Sequence, residues 1–210
     1  METSQKEHWN EIYAKKANTE LGWYEAKSSP SIELIEGCSL PKESRIVDIG
    51  SGTSILISNL LALGYQNIHA VDISNVALQK ARTLLGGEEE SARVNWIVDD
   101  ITNPSAVLEL DNVALWHDRA VFHFLTDEND QKIYRSTIEK MLMPSGFLVM
   151  ATFALSGAEK CSGLSVQRYS VKSLKDFFGD GFKLIESLEH IYEMPSGDLR
   201  PFTYVCFQKG

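Results

Sequence analysis

The sequence contains little cysteine and no cysteine-rich motif. Its 210 residues include three cysteines, Cys38, Cys161 and Cys206, which lie far apart and form no CxxC pair. This spacing excludes the usual ligand pattern of a structural zinc site, provides no disulfide framework, and is typical of a reducing compartment. No other cluster has the spacing of metal ligands, so we expect no metal site. The expected location is the cytoplasm.

Long apolar runs and basic runs are also missing. No apolar stretch approaches the length of a membrane span. The first residues, METSQKEHWNEIYAKK, are polar and include acids, so we expect neither a secretory signal nor a transit peptide. The 20 Lys and Arg are outnumbered by 29 Asp and Glu, for a formal net charge of −9. Because this charge repels phosphate backbones, nucleic acid is not expected as a partner, and neither is a membrane.

What the sequence does contain is a regular alternation of strand-like and helical segments. Such alternation predicts parallel strands covered by helices on both faces of the sheet. Near the end, Pro195 and Gly197 lie in a short segment between two strands, which predicts an antiparallel hairpin. The predicted strands are 45–49, 68–72, 94–98, 112–116, 147–153, 182–192 and 200–208. The predicted helices of this region are 54–63, 75–85, 104–109, 128–142 and 171–179.

The predicted fold class is therefore α/β, with a doubly wound and mostly parallel sheet in a single domain, 1–210. Residues 1–40, with short helices at 4–16 and 31–36, form an N-terminal helical cap. Residues 45–153 form the cofactor-binding core, and residues 154–210 form a substrate loop, a helix and the hairpin. The loop is expected to overhang the carboxyl ends of the strands, where the ligands of such sheets bind.

The segment VDIGSGTS, residues 47–54, joins the first predicted strand to the first helix of the core. Gly50 and Gly52 allow the backbone to approach a bound molecule closely. Asp72 ends the second strand, and a carboxylate at that position can accept hydrogen bonds from a ribose diol. These features predict an adenosine cofactor, but they do not separate NAD from the other cofactors of this kind.

Two residues of this region do separate the candidate cofactors. Ile55 stands where a dinucleotide-binding GxGxxG motif has its third glycine, which weakens the case for a pyrophosphate. Asp48 would repel a pyrophosphate, whereas it suits a ligand with an ammonium and a sulfonium. S-adenosylmethionine carries both groups. An ordinary acid at the end of a strand is the alternative for Asp48.

Four segments together resemble the motifs of class I S-adenosylmethionine-dependent methyltransferases. VDIGSGTS resembles the first motif, VDIS (71–74) the second, WIVDDI (96–101) the third, and LWHDRAVFHFL (115–125) the segment after the fourth strand. The resemblance implies a seven-stranded, Rossmann-like sheet of order 3-2-1-4-5-7-6 with the last strand antiparallel. It also implies S-adenosylmethionine as cofactor and S-adenosylhomocysteine as product.

The resemblance further implies roles for individual residues. Asp72 would bind the ribose hydroxyls, although a helix cap is its alternative role, for which Ser74 is the better candidate. Asp100, rather than its neighbour Asp99, would receive the adenine amino group. The residues implied in cofactor binding are Asp48, Gly50, Ser51, Gly52, Asp72, Ile73, Asp100, Ile101 and His117. Ser51 stands where many members have Cys, Ala or Thr.

The methyl acceptor is the least determined part of the prediction. His117, just past the fourth strand, is the candidate general base, with Asp118 or Tyr169 as alternatives. The expected reaction is in-line displacement onto a small-molecule acceptor, and a protein lysine is the alternative because an acidic surface would suit it. An NAD-dependent oxidoreductase and a non-catalytic cofactor binder are distant alternatives. Candidate substrate contacts are Trp23, Tyr24, Arg168 and Tyr169, for which packing of the cap or of the following helix is the alternative.

Overall fold

The seven predicted strands are all present and follow one another in the predicted order. The predicted helix at 104–109 is a short 3-10 helix, Ala106–Glu109. The computed structural model describes residues 4–25 and 30–210, so the stretches 1–3 and 26–29 of the predicted cap lie outside the described residues. The helices are α1 (Gln5–Lys15), α2 (Pro30–Gly37), α3 (Leu56–Ala62), α4 (Asn75–Leu84), α5 (Glu88–Ser91), α6 (Glu128–Met141) and α7 (Val171–Phe178). The strands are β1 (Arg45–Ile49), β2 (Asn67–Asp72), β3 (Val94–Val98), β4 (Val113–Arg119), β5 (Leu142–Phe153), β6 (Lys160–Cys161), β7 (Leu164–Ser165), β8 (Phe182–Glu193) and β9 (Leu199–Lys209).

Seven of these strands form one sheet, in the order β3-β2-β1-β4-β5-β9-β8. Strands β1 to β5 are parallel, and β9 runs antiparallel to both β5 and β8. The predicted α/β class, the mostly parallel sheet and the antiparallel closing hairpin are confirmed. The labels differ from the predicted order because a separate two-stranded sheet, β6–β7, lies between β5 and β8 along the chain. The sequence analysis did not predict these two short strands.

Two apolar clusters cover the two faces of the sheet. Leu115 belongs to the cluster that includes helices α2 and α3, whereas its neighbour Trp116 belongs to the cluster that includes α6 and α7. Successive side chains of a strand point to opposite faces, so this alternation continues along β4. His117 and Arg119 therefore share the face of Leu115, and Asp118 shares the face of Trp116. The directions of these three side chains determine which helices and strands each of them contacts at the end of β4.

The N-terminal cap packs on helix α4. Trp9, Tyr13 and Trp23 gather with Ala77 in a small apolar cluster, and the Lys80 ammonium donates to two carbonyls of the cap. Packing is therefore one role of the aromatic residues in the cap. None of the helices within residues 4–25 and 30–210 is both long and apolar enough to cross a membrane.

Candidate active site

A cavity of about 270 Å³ lies at the carboxyl ends of the parallel strands, where ligands bind in sheets of this kind. Its walls come from the ends of β1 to β4, from the cap, and from the β6–β7 and β8–β9 hairpins. The charged residues of the lining, apart from Lys16 of the cap, separate along the sheet by sign. We call the part at β2 and β3, with Asp72, Asp99 and Asp100, the acidic half. We call the part at β4, β6 and β9, with Arg119, Lys160 and Arg200, the basic half.

The turn after β1 brings backbone to the cavity. Gly50 lines it with a φ of +63°, a conformation that other residues rarely adopt, and a Cβ there would collide with the Val121 side chain. Gly52 has a φ of +52° and donates its N–H to Asp72 Oδ2 at 2.9 Å. The Ser51 N–H donates to a carbonyl of β2 at 3.0 Å. Ser51 and Gly52 thus support the turn, whereas Gly50 forms part of the cavity wall.

Asp72 ends β2 with its carboxylate in the acidic half. Oδ2 accepts from Gly52, and Oδ1 accepts from the Ser74 N–H at 2.7 Å. Ser74 caps helix α4 through its own hydroxyl, which accepts from the Ala77 N–H at 3.1 Å, so the cap does not need Asp72. Burial raises the pKa of Asp72 to about 6, although the two backbone N–H groups lower it. Each carboxylate oxygen keeps a further lone pair that a ligand hydroxyl can use.

The two acids after β3 line the acidic half with different partners. Asp99 accepts from two backbone N–H groups of the turn that follows, at 3.0 and 2.8 Å, and so holds that turn. Asp100 accepts from the N–H and the hydroxyl of Thr102, at 2.9 and 2.7 Å, and both bonds use the single oxygen Oδ1. This difference favours Asp100 as the ligand-binding acid. Ile73 and Ile101 add apolar surface to the same half.

Asp48 and His117 lie outside the cavity lining. Their side chains are each 3% exposed, with His117 Nδ1 2.6 Å from Asp48 Oδ1 and Nε2 2.8 Å from Ser31 Oγ. Ser31 in turn hydrogen-bonds Tyr204, whose hydroxyl accepts from Arg119 Nε at 3.2 Å. A chain of polar contacts thus connects Asp48 to the basic half. The roles of His117 as base and as cofactor contact stay predictions, and this geometry favours a supporting role.

Asp118 holds the turn that brings Val121 against Gly50. Its carboxylate accepts from the N–H groups of Val121 and Phe122, at 2.9 and 3.0 Å, and from the Tyr134 hydroxyl. The side chain is completely buried on the α6 face, and burial raises its pKa to about 6 although these hydrogen bonds lower it. Asp118 therefore shapes the cavity wall from behind and does not line it.

The four predicted substrate contacts are not brought together. Trp23 lines the cavity, whereas Tyr24 lies next to it and uses its carbonyl to accept from a tyrosine of β8. Arg168 pairs with Glu159, with Nη2 3.1 Å from Oε1, outside the lining. Tyr169 is buried, and its hydroxyl accepts from a glutamine of α6 at 3.3 Å. A substrate contact is geometrically direct for Trp23 alone among these four.

Arg119, at the end of β4, is a cavity residue that the sequence analysis did not single out. Its side chain is 9% exposed, with Nη2 3.1 Å from Glu25 Oε1. The guanidinium lies 5.1 Å from the ring centroid of Tyr192 and 5.0 Å from that of Phe202. The one signal in the sequence was its position shortly after the predicted fourth strand, 112–116, within LWHDRAVFHFL. Its partners come from the cap, β8 and β9, which are distant along the chain.

The β6–β7 hairpin adds Lys160, Cys161 and Ser162 to the lining, and none of these was among the predicted contacts. They belong to the predicted substrate loop, but nothing in their sequence indicated which of them face the cavity. Burial raises the pKa of the Cys161 thiol, and all three cysteines of the chain are free. Within the part of the chain that the structure describes, no group of three or more His, Cys, Asp or Glu is placed to hold a metal ion.

Comparisons with known proteins give the same family that the motifs suggest. The model of a family described as "Methyltransferase domain" matches residues 40–189. EEF1A lysine methyltransferase 2 of Mus musculus is 24% identical over 196 residues, which cover 87% of this chain and 73% of the mouse protein. The protein of the same name from Homo sapiens is 22% identical, with coverage of 87% and 76%.

Solved structures share the fold. A SAM-dependent methyltransferase from Anabaena variabilis has a TM-score of 0.78 at 13% identity, and the match covers 100% of this chain and 96% of that one. The N-methyltransferase NodS from Bradyrhizobium japonicum, in complex with S-adenosyl-L-homocysteine, has a TM-score of 0.65 at 14% identity, with coverage of 86% and 85%. At these identities the likeness concerns the fold alone.

Proposed function

This chain belongs to the methyltransferase-domain family and is an S-adenosylmethionine-dependent methyltransferase, and we propose that its methyl acceptor is a small molecule. The observation that carries this proposal is the position of the cap. Trp9, Tyr13 and Trp23 of the cap line the same cavity as the ends of the parallel strands, so that the site lies between cap and sheet. Such an arrangement suits an acceptor that is enclosed as a whole. We also propose that residues 1–210 form a single domain and that the protein is cytoplasmic.

The acidic half is the proposed seat of the cofactor. Asp72 would hold the ribose hydroxyls, and Asp100 would accept from the adenine amino group, with Ile73 and Ile101 on the sides of the base. Gly50 allows backbone to form the wall next to the ribose because it has no side chain there. The residues of this half thus fit an adenosine ligand. Asp48, Ser51, Gly52 and His117 would support these contacts from behind the lining.

When bound, S-adenosylmethionine would supply a sulfonium methyl group for in-line displacement by a lone pair of the acceptor, and the electron pair of the broken C–S bond would stay on sulfur, giving S-adenosylhomocysteine. The work of the protein in such a reaction is to align the two reactants and to exclude water. The aromatic residues of the cap and the apolar residues Val121, Phe124 and Phe153 of the lining can exclude water. Arg119 and Trp23 line the same cavity, and they are the proposed alignment residues for the acceptor.

A protein lysine is the second candidate acceptor. The observation that favours it is the similarity to proteins named EEF1A lysine methyltransferase 2, at 22–24% identity. Transfer to lysine would need an extended side chain to enter between cap and sheet, with its backbone outside. The formal net charge of −9 would suit a basic protein partner.

Calorimetric titration tests the cofactor first. S-adenosylmethionine and S-adenosylhomocysteine should bind, and NADH should not. Tight binding of NADH without the other two would contradict the proposal and favour an oxidoreductase.

A labelled-methyl assay then tests the acceptor. The protein is incubated with radiolabelled cofactor and either a panel of thiols, amines, acids and hydroxyl compounds or a whole lysate. We expect the label in the small-molecule fraction. Label in a protein band, with none in small molecules, would favour the lysine alternative.

A further inference from the structure

The basic half of the cavity contrasts with the charge of the whole chain. Although acids outnumber bases by 29 to 20 in the sequence, this part of the cavity is lined by Arg119, Lys160 and Arg200, with Lys16 of the cap nearby in the lining. The acids of the lining are on the other side, at β2 and β3. A ligand that spans the cavity therefore meets opposite charges at its two ends.

Arg119 is held so that its charge stays in this position. Its Nε donates to the Tyr204 hydroxyl at 3.2 Å, and its Nη1 donates to the Trp23 carbonyl at 3.4 Å. The rings of Tyr192 and Phe202 face its guanidinium at about 5 Å. These contacts hold the side chain against β8, β9 and the cap. The guanidinium thus belongs to the basic half and not to the proposed cofactor seat.

Cys161 lines the cavity together with Arg119, Arg200 and Lys16. Burial raises the pKa of its thiol, while a hydrogen bond with Ser162 and the charges of Arg200, Arg119 and Lys16 lower it. Three cations from three separate parts of the chain therefore act on one point of the cavity. Since an arginine fork binds carboxylates with two parallel hydrogen bonds, this space is suited to a carboxylate.

The structure already contains one carboxylate next to Arg119, that of Glu25. Nη2 of Arg119 lies 3.1 Å from Glu25 Oε1, and the Glu25 side chain is 12% exposed. Glu25 belongs to the cap, and the other contacts of Arg119 remain if the Glu25 carboxylate moves away. A ligand carboxylate could therefore replace it without unfolding the basic half.

We propose that the acceptor is a small molecule with an apolar or aromatic body and a carboxylate group, and that Arg119 binds this carboxylate in exchange for Glu25. The proposal rests on the small-molecule function proposed above and specifies its substrate class. The apolar body would lie against Trp23, Phe124, Phe153 and Phe202. Arg119 is then the residue that determines specificity, because a protonated amine at the same place would meet like charges.

The test uses the full chain saturated with S-adenosylhomocysteine, titrated with three probes that share one ring. The probes are benzoate, benzamide and benzylammonium, and binding is followed by calorimetry and by the fluorescence of the cavity tryptophans. We expect benzoate to bind more tightly than benzamide, and benzylammonium to bind least. In Arg119→Gln, the affinity for benzoate should fall about 10- to 150-fold, because a charge-assisted bond is lost, while the affinity for benzamide should change little.

Two further variants make the test independent of a folding defect in Arg119→Gln. Glu25→Gln removes the competing carboxylate and should raise the affinity for benzoate several-fold. Arg135→Gln is the matched control, because Arg135 also pairs with a glutamate, donates to a backbone carbonyl and faces an aromatic ring, but lies outside the cavity. It should leave the binding of all three probes unchanged.

Four results would overturn the inference, and they differ from a failure of the proposed function. The inference is wrong if benzylammonium binds best, if benzoate binds Arg119→Gln and the wild type equally, or if Glu25→Gln lowers the affinity for benzoate. It is also wrong if Arg119→Gln lowers the affinity for S-adenosylhomocysteine but not for 5′-methylthioadenosine, which has no carboxylate. Arg119 would then bind the carboxylate of the cofactor and not that of the acceptor. If the wild type does not bind S-adenosylhomocysteine at all, the proposed cofactor site is contradicted instead.

Discussion

The two halves of the cavity hold their charged groups in different ways. In the acidic half, Asp72 is fixed by the backbone N–H groups of Gly52 and Ser74, and Asp100 by Thr102 two residues later. In the basic half, Arg119 is fixed by side chains of β8 and β9 and by the cap. The first arrangement is built from short segments near the ends of β1, β2 and β3. The second exists only when segments far apart in sequence have packed together. If this difference makes the two halves independent, a change in one half should leave ligand binding in the other half unaltered.

The largest effect is expected at His117, which connects Asp48 to the polar contacts that lead to the basic half. His117→Ala leaves the buried Asp48 carboxylate without its partner, which should cost about 3–5 kcal/mol of unfolding free energy. Denaturant unfolding measures this loss. His69→Ala is the control, because His69 is also mostly buried but pairs with the neutral Asn67, and its removal should cost less.

The same variant tests the predicted base. If His117 only supports Asp48 and Ser31, the pH profile of methyl transfer between pH 6 and 9 should keep its shape in His117→Ala, with the rate scaled to the folded fraction. A profile that loses an ionisation near neutral pH would support the role as general base.

The next effect concerns the wall of the acidic half. Gly50→Ala should lower the free energy of unfolding for two reasons. The left-handed backbone conformation costs about 1–2 kcal/mol for a residue with a Cβ, and the collision with Val121 costs about 1–3 kcal/mol. Because Gly50 lines the cavity, affinity for S-adenosylhomocysteine should also fall. Gly64→Ala is matched to it, since Gly64 has a φ of +87° but open space around its Cβ position. Gly64→Ala should lose only the stability that the backbone conformation costs, and its affinity for S-adenosylhomocysteine, measured by calorimetry, should equal that of the wild type.

Asp72→Asn should lower the affinity for S-adenosylhomocysteine about 10- to 150-fold, since the ionised carboxylate is a stronger acceptor for the ribose hydroxyls than the amide. The pKa of Asp72 is about 6 because of burial, so the carboxylate is ionised above that pH and protonated below it. A ligand that favours the ionised form lowers this pKa, and its affinity should therefore fall as the pH decreases from 7 to 5. Calorimetry across this range should show the decrease in the wild type and a flat profile in Asp72→Asn.

Asp118→Asn provides the control for that profile. Asp118 also has a pKa of about 6 from burial, but it lies outside the lining. Its replacement should lower stability and leave the pH dependence of S-adenosylhomocysteine binding as in the wild type. An equal effect of the two replacements would mean that Asp72 acts through the fold and not through the ligand.

The smallest effect is expected at Tyr204, which holds Arg119 through one hydrogen bond. Tyr204→Phe removes the hydroxyl that accepts from Arg119 Nε, a loss of about 0.5–1.5 kcal/mol for one hydrogen bond. Benzoate affinity should fall a few-fold, with S-adenosylhomocysteine affinity unchanged, as calorimetry can measure. If both affinities fall together, the halves are coupled through Ser31 and His117.

Much of the fold could be predicted because strand patterns and turns are local signals. The first three strands were predicted to within one residue of the observed ends, since short apolar runs between turn residues define them. Strand β5 begins at Leu142, five residues earlier than predicted, because Leu142 pairs with Val113 and the strand continues without a break to Phe153. The two-residue strands β6 and β7 are too short for any periodicity to indicate them.

The sequence by itself determined the parallel sheet, the glycine turn and the acids after β2 and β3, because each depends on residues that are close together along the chain. Only the tertiary structure decided which charged groups reach the cavity from elsewhere. The alternation of β4 directs His117 toward α2 and Asp118 toward α6, while Arg119 reaches β8 and β9. The position of a side chain on a strand predicts its face, but its partners depend on which strands and helices pack there.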